Sequence, residues 1–399
     1  MEAMKFLISQ RCKLLTFLAI GTMLTGATWA QLSTESIVVD GDTRTFLQYL
    51  PTNFSPSEAM PLVLCFHGGA GTADFQLGIG DLRDKADSDR FVLVYPQALP
   101  DANDDGSTNW QVVESGELPF TSPNPHSDIN FTSALIEEMG AQHGIDLSRV
   151  YAMGYSNGGG FVYDLACRLN DQITGVGAVA RTMYAESYAN CATSHPTPVV
   201  TILGTNDFES NYDGVTYLGT LYFHSSDEGN ALWIEKNGLL DDPEVTEMPN
   251  LSTNDGSSVE RYRWTDSEDC IELIHYKVNG GGHDWPGSFG NMDIVSHEVI
   301  WDHLKEYNME GQMSCATSRI NDLETQEWKI SPNPASMALN VTFGEGETPD
   351  WFQIFNVRGQ VCLESRSVQG AHWTIDIAGL KPGLHLIRTA RGTQSFVVR

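Results

Sequence analysis

Val150-Tyr151-Ala152-Met153-Gly154-Tyr155-Ser156-Asn157-Gly158-Gly159 is the stretch that decides the fold of this chain. An apolar run ends in Gly-x-Ser-x-Gly and passes into a helical pattern from Phe161 to Arg168. A serine on such a strand-to-helix turn projects its hydroxyl from the end of a buried strand. The flanking glycines allow the tight backbone and keep side chains out of a substrate's path. The pattern predicts Ser156 as a nucleophile. The competing reading is an ordinary glycine-rich turn, because so short a pattern recurs by chance. The remainder of the chain separates the two.

Thr201-Ile202-Leu203-Gly204-Thr205-Asn206-Asp207 is an apolar strand ending in a carboxylate. Asn279-Gly280-Gly281-Gly282-His283-Asp284-Trp285-Pro286-Gly287 sets a histidine on a glycine-rich loop ahead of the last helix. Ser156, Asp207, His283 is the chain order of α/β-hydrolases, each residue lying beyond the end of a different strand. Upstream, Leu62-Val63-Leu64-Cys65-Phe66-His67-Gly68-Gly69-Ala70-Gly71 is a buried strand opening into His-Gly-Gly. The turn from Gly68 to Ala70, with Gly69 as the candidate, is expected to supply one backbone N–H of an oxyanion hole, and Asn157 the other. Asp213 is the rival acid, deeper in its loop than Asp207. Asp128 reads as a helix cap, and His67 as a support of the oxyanion turn.

Phe66-His67-Gly68-Gly69, Gly154-Tyr155-Ser156-Asn157-Gly158-Gly159, Leu203-Gly204-Thr205-Asn206-Asp207 and Gly282-His283-Asp284-Trp285-Pro286-Gly287 resemble the polyhydroxybutyrate depolymerase and feruloyl esterase group of secreted α/β-hydrolases. The resemblance runs from about Ser36 to about Met309. It implies a cofactor-free serine esterase with Ser156 as nucleophile, Asp207 as acid and His283 as base. It also implies a disulfide between Cys167 and Cys191, and a substrate-facing tryptophan at Trp110. Trp285, two residues after His283, is a second candidate wall of the substrate site. For both tryptophans packing beneath the loop is the alternative.

Composition suits export. The 399 residues carry a formal net charge of −29, which excludes non-specific nucleic-acid binding and adhesion to anionic membranes. Lys5, Arg11 and Lys13, an apolar core from Leu14 to Thr25 and Ala27-Thr28-Trp29-Ala30 read as a signal peptide over residues 1–30. No later segment is apolar enough to span a membrane. Cys65 reads as a buried free thiol, and Cys270 either pairs with Cys315 or stays free. No cysteine–histidine spacing suits a metal. Asp101 to Gly106 opens like a calcium loop, but Val112 stands where a glutamate ligand is needed, so no metal is expected.

Residues 31–310 alternate strand and helix, as in a mostly parallel sheet covered on both faces. A polar linker, 311–327, leads to about seven short strands in 328–399, expected to form a small all-β sandwich. Ser331-Pro332-Asn333-Pro334, Phe355-Asn356-Val357-Arg358-Gly359-Gln360 and Leu380-Lys381-Pro382-Gly383-Leu384 resemble the C-terminal sorting domain of proteins exported by the type IX secretion system. A carbohydrate-binding module is the rival, which exposed aromatics on one sheet face would favour. The expected partners are an ester substrate, polysaccharide-linked or a short polyester, and the type IX machinery. A catalytically silent surface-binding protein on the same scaffold is the non-enzyme alternative.

Overall fold

Short apolar runs separated by helices build one large sheet in the computed structural model of the chain. The structure describes residues 31–101, 105–111, 127–268, 270–315, 328–343, 348–356, 360–366, 368–389 and 392–399. The expected signal peptide, most of the expected linker and part of the calcium-like loop lie outside the described residues.

The chain opens with the antiparallel pair β1 (Leu32–Val39) and β2 (Asp42–Tyr49). Next come β3 (Leu62–Phe66), α1 (Ala73–Ile79), α2 (Arg83–Asp89) and β4 (Val92–Pro96). A short ladder of β5 (Pro100–Asp101) and β6 (Ser107–Thr108) precedes α3 (Asp128–His143). Then follow β7 (Val150–Tyr155), α4 (Asn157–Arg168), β8 (Gly175–Val179), α5 (Ala185–Ala189) and β9 (Val199–Gly204). A hairpin of β10 (Val215–Tyr217) and β11 (Thr220–Phe223) leads to α6 (Ser226–Asn237). The edge strands β12 (Glu244–Glu247) and β13 (Ser258–Thr265), then β14 (Glu272–Asn279) and α7 (Ser296–Leu304), complete the sheet and its cover.

The ten-stranded order is β1-β2-β4-β3-β7-β8-β9-β14-β13-β12. Pairing is parallel from β4 through β14 and antiparallel at both margins. Residue type explains the division. β3, β4, β8 and β9 are buried along their whole length, as strands covered on both faces must be. Ser258–Thr265 mixes Val259 and Trp264 with Glu260, Arg261 and Arg263, and only the first two are fully buried. Two apolar layers fill the two faces, one around Phe66, Phe131, Phe161 and Trp233, the other around Tyr95, Tyr151, Ile300 and Trp301.

Helix termini follow their local chemistry. Ser225 and Glu228 form a capping box at α6, and Gly238 closes that helix in the left-handed region at φ 64°. At α3 the cap is Ser127, whose hydroxyl accepts from the Asn130 N–H, and not the expected Asp128. Asp128 instead pairs with Arg44 of β2 inside the core and accepts the Gln111 N–H at 2.6 Å. A buried guanidinium needs that carboxylate more than the helix needs a second cap.

Paired structure continues past residue 310. β15 (Tyr307–Asn308) pairs with β16 (Gly311–Gln312), and Cys315 forms a disulfide with Cys270. Gly311 and Gln312, expected in the linker, therefore pair with the segment after α7, and Cys315 is bonded to Cys270 just ahead of β14. Cys65 is a buried free thiol.

The C-terminal strands are β17 (Trp328–Ser331), β18 (Ala338–Phe343), β19 (Phe352–Asn356), β20 (Val361–Ser365), β21 (His372–Asp376), β22 (Gly383–Thr389) and β23 (Gly392–Val398). They form two sheets, β17-β18-β21 and β20-β19-β22-β23. Alternate residues, among them Leu339, Val341, Trp373, Ile354, Ile387 and Phe396, meet in one core. Trp328, Phe343, Phe352, Trp373 and Phe396 are buried, which removes them from any carbohydrate-stacking face.

Candidate active site

β7 delivers Ser156 to the first turn of α4 in a conformation that few residues tolerate, with φ 51° and ψ −118°. The turn is held because its neighbours lack side chains. A Cβ on Gly154 would lie 2.3 Å from the Gly158 carbonyl oxygen. The Ser156 N–H donates to the Val179 carbonyl of β8 at 2.9 Å, fixing the turn over the sheet.

The hydroxyl meets the histidine of the last loop. Ser156 Oγ lies 2.8 Å from His283 Nε2, and His283 Nδ1 lies 2.7 Å from Asp207 Oδ2. Asp207 is buried, and its Oδ1 accepts the N–H groups of Glu209 at 2.9 Å and Ser210 at 2.8 Å. The carboxylate is thus held rigid and points its second oxygen at the imidazole. That contact places the ring proton on Nδ1 and leaves Nε2 to accept from Ser156. Asp213 is exposed, and the Nδ1 partner is Asp207.

The turn after β3 closes against the serine. A Cβ on Gly68 would sit 3.3 Å from the Ser156 Cβ, and one on Gly69 3.6 Å from the Asn157 Cβ. The Ala70 N–H is spent on the Thr108 carbonyl at 2.9 Å and the Gly71 N–H on the Gly68 carbonyl at 3.0 Å. Asn157 heads α4, where backbone N–H groups have no partner within the helix. His67 staples the turn. Its Nε2 accepts the Ala98 N–H at 3.1 Å, so Nδ1 carries the proton and donates to the Gly68 carbonyl at 2.7 Å. Burial lowers its pKa to about 4, which keeps the ring neutral.

The two tryptophans do not line the site. Trp110 is 1 % exposed and Trp285 0 %. Trp110 stacks on Phe161 and donates its indole N–H to the His67 carbonyl at 2.8 Å. Its own backbone N–H donates to Asn157 Oδ1 at 2.7 Å, which ties the first turn of α4 to the loop. Trp285 lies edge-on beneath Tyr155 and stacks on His297. An indole sealed in a core has no face left for a substrate, so both readings as substrate walls are corrected to packing.

Three neighbours of the site had no signal in the sequence. Tyr155 donates its hydroxyl to the His283 carbonyl at 2.8 Å, bracing the histidine loop. Burial raises its pKa. Glu209 lies 3.6 Å from His283 Nε2 with its side chain about half exposed. Arg181, buried in the loop after β8, donates from Nη2 to Ser156 Oγ at 3.1 Å. Behind it, the expected disulfide joins Cys167, at the end of α4, to Cys191, with 4.6 Å between their Cα atoms.

Among the described residues no group of three or more histidines, cysteines and carboxylates could hold a metal, and no helix is long and apolar enough to cross a membrane.

Residues 45–197 match the family described as esterase PHB depolymerase, and residues 329–399 match the secretion system C-terminal sorting domain. The chain thus carries a stretch that matches an esterase family, followed by a C-terminal sorting domain. The sorting domain marks the chain for type IX export to the cell surface or beyond. Within the matched esterase stretch lie Gly68, Gly69 and Ser156, while Asp207 and His283 follow it. The chain is 25 % identical over 271 residues to the bifunctional acetylxylan esterase/xylanase XynS20E of Neocallimastix patriciarum, covering 67 % of this chain and 34 % of that protein. It is 26 % identical to the putative esterase NocK of Nocardia uniformis subsp. tsuyamanensis, covering 65 % of this chain and 75 % of that one. It is 23 % identical to feruloyl esterase B of Piromyces equi, covering 65 % of this chain and 44 % of that one. The match thus spans about a third of the length of the first of these relatives. Among solved structures, acetyl xylan esterase from Aspergillus awamori is similar at a TM-score of 0.49 and 15 % identity, covering 68 % of this chain and 99 % of that one.

Proposed function

We propose that this chain is an exported serine carboxylic-ester hydrolase with Ser156 as nucleophile, His283 as general base and Asp207 as the orienting acid. The observation that carries the proposal is the continuous hydrogen-bond chain from Asp207 Oδ2 through His283 to Ser156 Oγ, at 2.7 Å and 2.8 Å. His283 Nε2 takes the Ser156 proton as Oγ attacks the ester carbonyl, and Asp207 stabilises the imidazolium that results. The carbonyl oxygen becomes an oxyanion facing the N–H groups of Gly69 and Asn157, each such donor lowering the barrier by about 3 kcal/mol. Collapse returns the proton from His283 to the departing alcohol and leaves Ser156 acylated. Water, deprotonated by the same histidine, then attacks the acyl-enzyme and releases the acid.

The relatives' names point to acetyl or feruloyl esters on plant polysaccharide, and the family description to hydroxyalkanoate polyester. The polysaccharide esters are the reading we favour, because the acetylxylan and feruloyl relatives align over about two thirds of the chain. Initial rates on acetylated xylan, methyl ferulate and a 3-hydroxybutyrate trimer capped as its methyl ester, so that all three are uncharged, decide the matter, with Ser156→Ala as the blank. Turnover of either of the first two above the trimer supports the reading. Preference for the trimer replaces it with a polyester depolymerase.

A further inference from the structure

The loop after β8 brings a guanidinium to the nucleophile that the hydrolytic cycle does not use. Arg181 is 9 % exposed and donates from Nη2 to Ser156 Oγ at 3.1 Å. Its Nε is buried without a hydrogen-bond partner. Among the described residues no carboxylate stands within ion-pair distance of it. Its remaining contacts are aromatic: the guanidinium carbon lies 4.8 Å from the Phe223 ring centroid and 5.7 Å from that of Tyr184.

The surroundings are shaped to keep it there. A Cβ on Gly159 would lie 3.3 Å from the Arg181 Cβ, and one on Gly160 would lie 2.2 Å from the Tyr184 ring and 3.2 Å from the Arg181 Cγ. The glycine run after Ser156 therefore makes room for the arginine stem and the tyrosine beside it, besides permitting the turn. Cys167–Cys191 closes the segment that holds Arg181. A buried cation is retained at such cost when something anionic completes it.

Arg181 is badly placed to serve the oxyanion. In the sheet order β3-β7-β8, the Gly68–Gly69 turn follows β3 on one side of Ser156 and Arg181 follows β8 on the other. With the carbonyl oxygen turned toward Gly69 and Asn157, the rest of the substrate crosses Ser156 on the Arg181 side. We infer that Arg181 is a specificity-determining residue that binds a carboxylate on the substrate, so that the enzyme takes esters of acidic molecules ahead of neutral ones. This rests on the serine-hydrolase reading above. A planar fork of donors matches a carboxylate, and the aromatic faces hold the fork in one orientation.

The test uses two pairs of esters that differ only in one negative charge. Mono-4-nitrophenyl adipate and methyl 4-nitrophenyl adipate carry it on the acyl side. The 3-hydroxybutyrate dimer and its methyl ester carry it on the alcohol side. The full chain is expected to show at least tenfold higher kcat/KM for the charged member of one pair. In Arg181→Gln that ratio falls to about one, and Arg181→Lys, which keeps the charge but not the fork, lies between. Neutral and charged members cleaved equally by the wild type on both sides overturn the inference. So does a ratio unchanged in Arg181→Gln, and so does an equal loss on both members, which assigns the guanidinium to positioning Ser156. Calorimetric titration of Ser156→Ala with the dimer and its methyl ester separates this inference from the reading beneath it. Tighter binding of the charged dimer without hydrolysis of any ester by the wild type retains the carboxylate site and removes the hydrolase. Hydrolysis without any charge preference does the reverse.

Discussion

Gly158 packs against the carbonyl oxygen of Phe66 with no space for a side chain: a Cβ on Gly158 would sit 2.5 Å from that oxygen and 2.5 Å from the His67 carbonyl oxygen. Both contacts are backbone, held by the pairing of β3 with β7, and neither can swing away. The contact sets how close α4 lies to the turn after β3, and so how close Ser156 and Asn157 lie to Gly69. Gly158→Ala should therefore lower stability by about 3 kcal/mol and esterase kcat by about a hundredfold, since an ångström of misplacement costs that much. A thermal melt and initial rates check it, and an unchanged rate would show that the turn and α4 move independently.

The choice between Asp207 and Asp213 is a choice about a tautomer. Asp207→Asn should lower kcat about 10⁴-fold with KM little changed, because the amide can hold His283 in the wrong proton arrangement. Asp213→Asn, at an exposed position of the following loop, should leave kcat within about twofold. The reverse pattern would move the acid to Asp213.

Much of this site was legible because its signals are local. A strand that ends in glycine and then presents serine, aspartate or histidine states both a backbone shape and a chemical group within ten residues. The disulfide from Cys167 to Cys191 entered through the family resemblance. Burial is another matter, since it depends on residues far apart in the chain. Trp110 stands in a polar loop, and the approach of Phe66, His67 and Phe161, with the His67 carbonyl accepting its N–H, seals its indole inside. Trp285 is sealed in the same way by Tyr155 and His297. Arg181 carried no signal at all, as a lone arginine beyond a strand reads as a surface charge until its neighbours are placed. The margin formed by β12 and β13 also went unread, because Arg261 and Arg263 interrupt the apolar pattern of a strand buried on one face.

The Cys167–Cys191 bridge closes a loop over a sequence separation of 24 residues. Removing it should cost about 3 kcal/mol by the loop-entropy relation. The double variant Cys167→Ser, Cys191→Ser should also raise KM more than it lowers kcat, because the loop it frees carries Arg181 and not the Ser156–His283 pair. Denaturant titration and steady-state kinetics test both parts. A loss confined to kcat would mean that the bridge supports the nucleophile turn instead.

Buried histidines, His67, His275 and His303 among them, make the fold acid-sensitive. Burial lowers the pKa of His67 to about 4 and that of His275 to about 3. His275 is locked between the hydroxyls of Thr201 at 2.7 Å and Tyr212 at 2.8 Å. An unfolded histidine titrates near 6.5, so between about pH 6.5 and 4 the unfolded chain binds protons that the folded chain refuses. Stability from these two groups is complete above pH 6.5 and declines below it by up to about 1.4 kcal/mol per pH unit for each. The urea midpoint of the esterase domain should fall from pH 7.5 to pH 5.0, and substitution of His275 by Asn should flatten the fall. A midpoint independent of pH over that range would contradict the neutral, buried state of both rings.

Passage of ester hydrolysis through an acyl group on Ser156 is checked by comparing kcat/KM for 4-nitrophenyl acetate between the wild-type chain and Ser156→Ala with matching circular dichroism. A loss of at least about 10⁴-fold is expected, down to the rate that the oxyanion donors alone sustain. Activity retained within about tenfold would contradict it and place the nucleophile elsewhere.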